Sequence, residues 1–348
     1  MKSDVLARRL FEETLGALDL YSIYLGDQLG YYRAMTGGDW FSAESLARRT
    51  GTSVRYTEEW LSQQAVRELV EVQDERAQPR RYRLPAEHVP VLADPDSMMA
   101  VIAGATDLAR IARRLPDLVT AYRTGQAPPS MPWEPEGRSE QNRAQYLNLL
   151  GKQWLPAIPE IDERLMRAGA RVADIGCGTG WSSIAMAEAY PLVSVEGIDL
   201  DAQAIAEAGR HAHEHGLADR VRFKAGDAAS LSSEGYDVVT IIQALHDMSN
   251  PVEVLHAVRK SLAGDGVVLV VDSHVEEEFS VPGTPQEQLN YGISLMVCLP
   301  EAMGPGSAAT GTVMRPGTLR RYAANAGFTE VRMLPIESQK WNFYRLTV

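Results

Sequence analysis

The chain is 348 residues long and 45% hydrophobic, with 46 acidic against 34 basic side chains and a formal net charge of −12 at pH 7. That length can bury a large core and leaves room for two domains, while the negative balance argues against a general attraction to nucleic acid or anionic membrane. Two cysteines, Cys177 and Cys298, are too few for a disulfide framework, no run approaches the about 20 apolar residues of a bilayer span, and the N-terminus lacks a signal peptide's apolar stretch, so a cytoplasmic protein with reduced thiols is expected.

The first element is a helix over 6–29, with Leu10, Leu15, Leu18, Leu20, Tyr24 and Leu25 at helical spacing and Gly37-Gly38 closing the unit. It is too apolar for a surface helix. Ser42 is placed to cap a short helix through Arg49, and Ser53 a second one carrying Val54, Trp60, Leu61 and Val66. Segments 69–72 and 82–84 then make a two-stranded wing, completing the outline of a winged helix. The wing carries Arg76, Arg80, Arg81 and Arg83, but Glu58, Glu59 and Glu68 offset Arg55 and Arg67 on the second helix, so no positive face for DNA is expected.

Residues 93–165 read as a mainly helical connector, interrupted at 125–137 by a Pro- and Gly-rich loop containing Trp133. This divides the chain into 1–92, 93–165 and 166–348, with Tyr146, Gln153 and Trp154 expected near the mouth of whatever site the last segment builds. There an α/β pattern begins. The run VADIGCGTG (172–180) is a strand ending in Asp174 and the alternating Gly176, Gly178 and Gly180, followed by a helix from Trp181. Glycines without Cβ let the backbone turn tightly and approach a bulky ligand, and a helix start turns its amides toward it. The third glycine falls too early for the dinucleotide G-x-G-x-x-G spacing.

The next strand, VSVEGID, ends in Asp199 and Leu200 about 20 residues after the loop, where a carboxylate can accept from both ribose hydroxyls. VRFKAGDAASL places Asp227 and Ala228 past a third strand, and YDVVTIIQALHDM leaves Gln243 to His246 at the end of a fourth. Four strand ends thus converge on one edge of a doubly wound parallel sheet. After GVVLVVD (266–272) a long stretch, 273–317, precedes a last helix and is expected to be a lid, with Tyr291, Met296, Met303 and Met314 as candidate lining residues.

These ordered motifs resemble those of class I S-adenosylmethionine-dependent methyltransferases. The resemblance implies a Rossmann-like domain holding S-adenosyl-L-methionine, with S-adenosyl-L-homocysteine as product, through Asp174, Gly176, Gly178, Gly180, Asp199, Leu200, Asp227, Ala228 and Gln243. It implies that Asp227 accepts from the adenine amine and that the next amide reads a ring nitrogen. A winged helix before such a domain is similar to the small-molecule O-methyltransferases of plants and bacteria, in which the N-terminal domain forms a homodimer and covers the substrate pocket. ALHDM, CLPE and SAATGTVMRP further resemble a group of bacterial, largely actinobacterial, methyltransferases.

In the plant-type enzymes an HDW motif carries a catalytic histidine, and His246-Asp247-Met248 matches its first two positions. Imidazole, with an unperturbed pKa of about 6.5, suits a base for a phenolic acceptor, but a structural hydrogen-bonding role is an equal alternative. Candidate substrate contacts are Tyr24, Tyr146, Trp154, His246 and Tyr291. The HAHEHG run puts only His211 and His215 on one helix face, short of three metal ligands, so no metal is expected there. The small-molecule acceptor stays open between oxygen, nitrogen and carbon. Two other readings are a transcription regulator that senses S-adenosylmethionine and a non-methylating enzyme that retains it.

Overall fold

The computed structural model describes residues 2–129, 142–232 and 234–348; Trp133 lies outside them. The chain forms two compact units, one built mainly from residues up to Arg113 and the other from Arg114 onward, chiefly Gln145–Val348.

The first unit opens with α1 (Ser3–Gln28), ended by Gly30 in the left-handed region, and α2 (Tyr31–Met35). Then come α3 (Ala43–Thr50), α4 (Val54–Val66), the antiparallel β1 (Glu71–Val72) and β2 (Tyr82–Arg83), and the short α5 (Val89–Leu92). Ser42 caps α3 by accepting from Ser45 N, whereas Ser53 stands at the start of α4 in extended conformation without a side-chain cap bond. Tyr31, Tyr32, Met35, Leu46, Trp60, Leu61, Tyr82 and Leu84 form its core. The Tyr31 hydroxyl is paired with Thr57 at 2.8 Å, and Tyr32 donates to Gln64 at 2.5 Å, since buried hydroxyls need partners.

One expectation fails here. The apolar α1 is not enclosed: Leu10, Phe11, Leu18 and Leu25 are between 47 and 63% exposed in the single chain. Only its last turns are tightly packed, where Gly26 admits Trp60 so closely that a Cβ would come within 2.4 Å of the indole.

α6 (Ile102–Thr124) begins in the first unit and ends in the second. α7 (Arg143–Gln145) leads into π-helical turns over Tyr146–Trp154 and then α8 (Pro159–Leu165). Strands and helices alternate from there: β3 (Arg171–Ile175), α9 (Trp181–Ala189), β4 (Ser194–Asp199), α10 (Ala202–Glu214), β5 (Val221–Ala225), β6 (Tyr236–Ile242), α11 (Pro251–Ser261) and β7 (Leu262–Ser273). α12 (Pro285–Ile293), a π-helical turn (Ser294–Cys298) and α13 (Leu299–Ala302) occupy the long stretch read as a lid. α14 (Pro316–Asn325), β8 (Glu330–Met333) and β9 (Trp341–Thr347) close the chain.

The strands form one sheet in the order β5-β4-β3-β6-β7-β9-β8. β3 to β7 are parallel, and β9 runs antiparallel to both β7 and β8. Alternation sends Val172, Val238, Leu269 and Val271 to one core and Ala173, Ile175, Val239, Ile241, Val268 and Val270 to the other. The order reverses between β3 and β6, so a crevice opens outside their carboxyl ends, where open α/β sheets bind ligands. The pair β8–β9 was not anticipated from the sequence.

The insertion is anchored within its own unit. Thr284 caps α12 by accepting from Glu287 N, and the buried Glu287 carboxylate lies 2.9 Å from Arg315. Arg114 and Tyr122 of α6 bond Glu301 and the Leu295 carbonyl, each at 2.8 Å.

Candidate functional site

The loop after β3 depends on glycine at two points. Gly176 has φ +71°, and a Cβ there would lie 2.3 Å from that of Ala244 at the end of β6; Gly180 has φ +85°, and a Cβ would meet the Phe223 ring at 2.6 Å. Any side chain would therefore be strained and crowded. Asp174, 1% exposed, fastens the loop from below: its carboxylate accepts from Ser182 at 2.6 Å, Ser183 at 2.7 Å and Thr240 at 2.8 Å. Burial raises its pKa above the usual carboxylate range, opposed by the three hydroxyl donors.

Asp199 stands at the end of β4 and is oriented by backbone. Its oxygens accept from Gly178 N at 2.8 Å and Asp201 N at 3.0 Å, and the neighbouring Leu200 is exposed. Asp227, past β5, is exposed and accepts from Ala229 N at 2.9 Å, with Ala228 buried beside it. Gln243, past β6, holds φ +55°, costly for a residue with a Cβ. Its Oε1 accepts from Ser273 at 3.4 Å, while its buried Nε2 has no hydrogen-bond partner.

His246 follows in a 3-10 turn (Leu245–Asp247) and is 3% exposed. Its Nδ1 lies 2.6 Å from Asp272 Oδ1 at the end of β7, and the same oxygen accepts from Ser273 N at 2.7 Å. A carboxylate can only accept here, so Nδ1 carries a proton, and whenever the ring is neutral its lone pair is on Nε2. That nitrogen is 3.5 Å from Asp247 Oδ1, and the Cys298 thiol reaches the same imidazole. Burial works to lower the His246 pKa, but the carboxylates of Asp272 and Asp247 outweigh it and leave the value well above the ordinary one. Gly311 N donates to the His246 carbonyl at 3.2 Å, tying the insertion to this turn.

The ends of β3, β4, β5, β6 and β7 thus bring together the loop glycines, Asp199, Asp227, Gln243 and His246. Other expected contacts lie differently. Tyr24 packs on the core of the first unit, and Tyr146 and Trp154 are buried in the core of the second, Trp154 edge-on to Phe343 at 5.2 Å. Tyr291 is 41% exposed, with its hydroxyl 3.3 Å from Arg315. His211 is buried, stacks on Trp181 at 4.2 Å and donates from Nδ1 to the Thr179 carbonyl at 3.0 Å, while His215 meets Glu188 at 2.7 Å. The histidine run therefore braces the loop rather than merely ending a helix. A cavity of about 590 Å³ lined by His274, Leu334, Ile336, Trp341 and Phe343 touches none of the loop residues.

Sequence reasoning missed Asp272 and Cys298 as partners of His246. In the sequence, Asp272 marks only the end of the GVVLVVD strand.

Comparison with known proteins agrees with this arrangement. Residues 166–313 match a methyltransferase domain and residues 17–94 an Rv2258c-like winged HTH domain. The ubiquinone biosynthesis O-methyltransferase of Azoarcus sp. (strain BH72) is 30% identical over 202 residues, 58% of this chain and 78% of that protein. Some other relatives of that name are spanned over 49 to 66% of their length. A putative O-methyltransferase from Nostoc punctiforme PCC 73102 superposes with a TM-score of 0.70 at 22% identity, covering 99% of both chains. Human N-acetylserotonin methyltransferase in complex with SAM gives 0.72 at 18%, covering 100% of this chain and 99% of that one. With a glycine loop, an acidic residue after the next strand and a sheet that switches between them, this chain belongs to the class I S-adenosylmethionine-dependent methyltransferases.

Proposed function

We propose that this methyltransferase acts on a hydroxyl oxygen, foremost a phenol, of a small organic acceptor. The observation that carries the reading is the His246–Asp272 pair at the β6 and β7 ends, beside the crevice where the sheet order reverses. The O-methyltransferase names of the relatives agree with that acceptor class.

The residues present fit the cofactor. Gly176, Gly178 and Gly180 all take positive φ, which lets the loop turn tightly at the crevice, and the Asp199 oxygens keep lone pairs for ribose hydroxyls after accepting two amides. Asp227 and the Ala228 amide suit the adenine, Leu200 offers an exposed apolar side chain, and the unpaired Gln243 Nε2 suits an acceptor atom on the ligand. Asp174 acts through the loop, because its carboxylate is already taken up by three hydroxyls. S-Adenosylmethionine supplies a methyl group already activated on its sulfonium.

What the protein must add is a fixed place for the acceptor and a destination for its proton. Positioning alone is worth up to about 7–11 kcal/mol in ideal intramolecular cases, and a phenol of pKa about 10 also needs a base. Asp272 is a positioning residue: by accepting from Nδ1 it holds the ring and its tautomer, so that Nε2 receives the proton. The acceptor's approach is from the side of Asp247, whose side chain is 33% exposed.

His246→Asn tests this, since its side-chain amide stands where Nδ1 stood and can still donate to Asp272. Turnover on a phenol should fall by ~10²- to 10⁴-fold with cofactor affinity unchanged, whereas an unchanged rate would remove the base role. Comparing a phenol with the matching aniline checks the acceptor atom: faster transfer to nitrogen would overturn the oxygen assignment.

A DNA-sensing role finds no support in the winged helix. Arg55 is paired with Glu59 at 2.5 Å, Arg67 with Asp19 at 2.7 Å, and Arg83 with Glu71, so both arginines of the second helix and one of the wing are already matched by carboxylates. The exposed apolar face of α1 supports a homodimer, and among the described residues no helix is long and apolar enough to cross a membrane, in keeping with a cytoplasmic enzyme.

A further inference from the structure

A second chemistry is open at the same strand ends. One ligand atom each of His246, Asp247 and Cys298 lies within 4.8 Å of the others, and His246 Nε2 is 3.5 Å from Asp247 Oδ1. Zinc bonds of ~2.0–2.2 Å to nitrogen and oxygen and ~2.3 Å to sulfur, at tetrahedral angles, put ligand atoms roughly 3.4–3.6 Å apart. The imidazole and carboxylate already stand at that spacing, and Cys298 needs to close by no more than roughly 1.4 Å on the same bond lengths.

The far side of the imidazole strengthens the case. Its Nδ1–H donates at 2.6 Å to Asp272, which is 1% exposed, the carboxylate–histidine arrangement that fixes a metal-binding ring and makes it more basic. The partly exposed Asp247 gives an ion a way in. Sulfur and nitrogen donors select borderline-soft cations over magnesium or calcium.

We propose that His246 Nε2, Asp247 and Cys298 form a site for a zinc-class divalent cation, with Asp272 as the positioning residue behind the imidazole. Among the described residues no fourth ligand joins the group, so one coordination position falls to water or to an oxygen or sulfur of a ligand, as in open rather than structural zinc sites. On binding, the Cys298 thiol gives its proton to solvent and the thiolate coordinates. Resting on the base role proposed above, the ion takes the lone pair that would receive the acceptor's proton, so the metal-loaded enzyme is the inhibited form.

The full-length protein, stripped with a chelator, is titrated with Co²⁺ in the absence of S-adenosylmethionine and acceptor. One equivalent should produce a thiolate-to-cobalt charge-transfer absorption that Zn²⁺ erases. Cys298→Ser should lose this absorption and Asp272→Asn should weaken binding by ~10- to 100-fold, with circular dichroism showing both variants folded. No absorption, or one that persists in Cys298→Ser, overturns the site. Saturating Zn²⁺ should suppress turnover and a chelator restore it; turnover that is unchanged or raised by bound Zn²⁺ overturns the inhibitory role. Because the cobalt signature needs no acceptor, failure of the phenol assignment would leave it intact and be distinguished by it.

Discussion

Asp199 is oriented before any ligand arrives, because the amides of Gly178 and Asp201 set the plane of its carboxylate. Asp199→Ala should therefore weaken S-adenosylmethionine binding by about 1–3 kcal/mol, roughly five- to 150-fold, the cost of leaving buried polar partners unmatched. Calorimetry reads this directly, and an unchanged affinity would mean that the ribose sits elsewhere. The place of Asp199 at the end of β4, against the glycine loop, was legible in the sequence because it follows from a fixed distance along the chain after that loop. Asp272 was not, since only the pairing of β6 with β7 brings it to His246. Cys298 reaches the same ring from the insertion, which no spacing rule connects to the β6 end. The use of Asp174 was equally hidden: the sequence shows an acid before a glycine loop, while its carboxylate is occupied by Ser182 and Ser183 of α9 and Thr240 of β6.

The glycine loop and the end of β6 behave as one packed unit. Gly176→Ala puts a side chain into the left-handed region, at roughly 1–2 kcal/mol, and drives its Cβ into that of Ala244, which adds an overpacking cost of ~1–3 kcal/mol. The double variant Gly176→Ala, Ala244→Gly should recover the overpacking part and keep the backbone part. Thermal unfolding of the three variants checks this, and strict additivity of the single changes would show that the two positions do not meet. The parallel strands were readable because β3, β4 and β6 are apolar runs that end in turn residues. β8 (EVRM) is short, charged and at an edge, and the alternation in β9 becomes meaningful only against β7. Sequence periodicity also identified α1 correctly as an apolar helix but misjudged its surroundings, because periodicity reports a face and not what covers it.

At the scale of the molecule, the exposed face of α1 is the feature the single chain leaves unexplained. Leu10, Phe11, Leu18 and Leu25 lie along it, and a second copy of the chain would remove them from water, a gain of roughly 25 cal/mol per Å² of apolar surface. Sedimentation should therefore show twice the 38.3 kDa chain mass, and Phe11→Glu with Leu18→Glu should yield monomers; a wild-type monomer at micromolar concentration would contradict the homodimer. The acidic charge of the chain and the pairing of Arg55, Arg67 and Arg83 with carboxylates fit this role better than one at a phosphate backbone. The central claim, methyl transfer to a small hydroxyl acceptor, is tested most directly by incubating the protein with methyl-labelled S-adenosylmethionine and pooled phenols, anilines and cell extract. The account predicts label in the organic extract on a phenolic oxygen, with S-adenosylhomocysteine formed in equal amount. Tight cofactor binding with no label in any acceptor and no S-adenosylhomocysteine formed would contradict it.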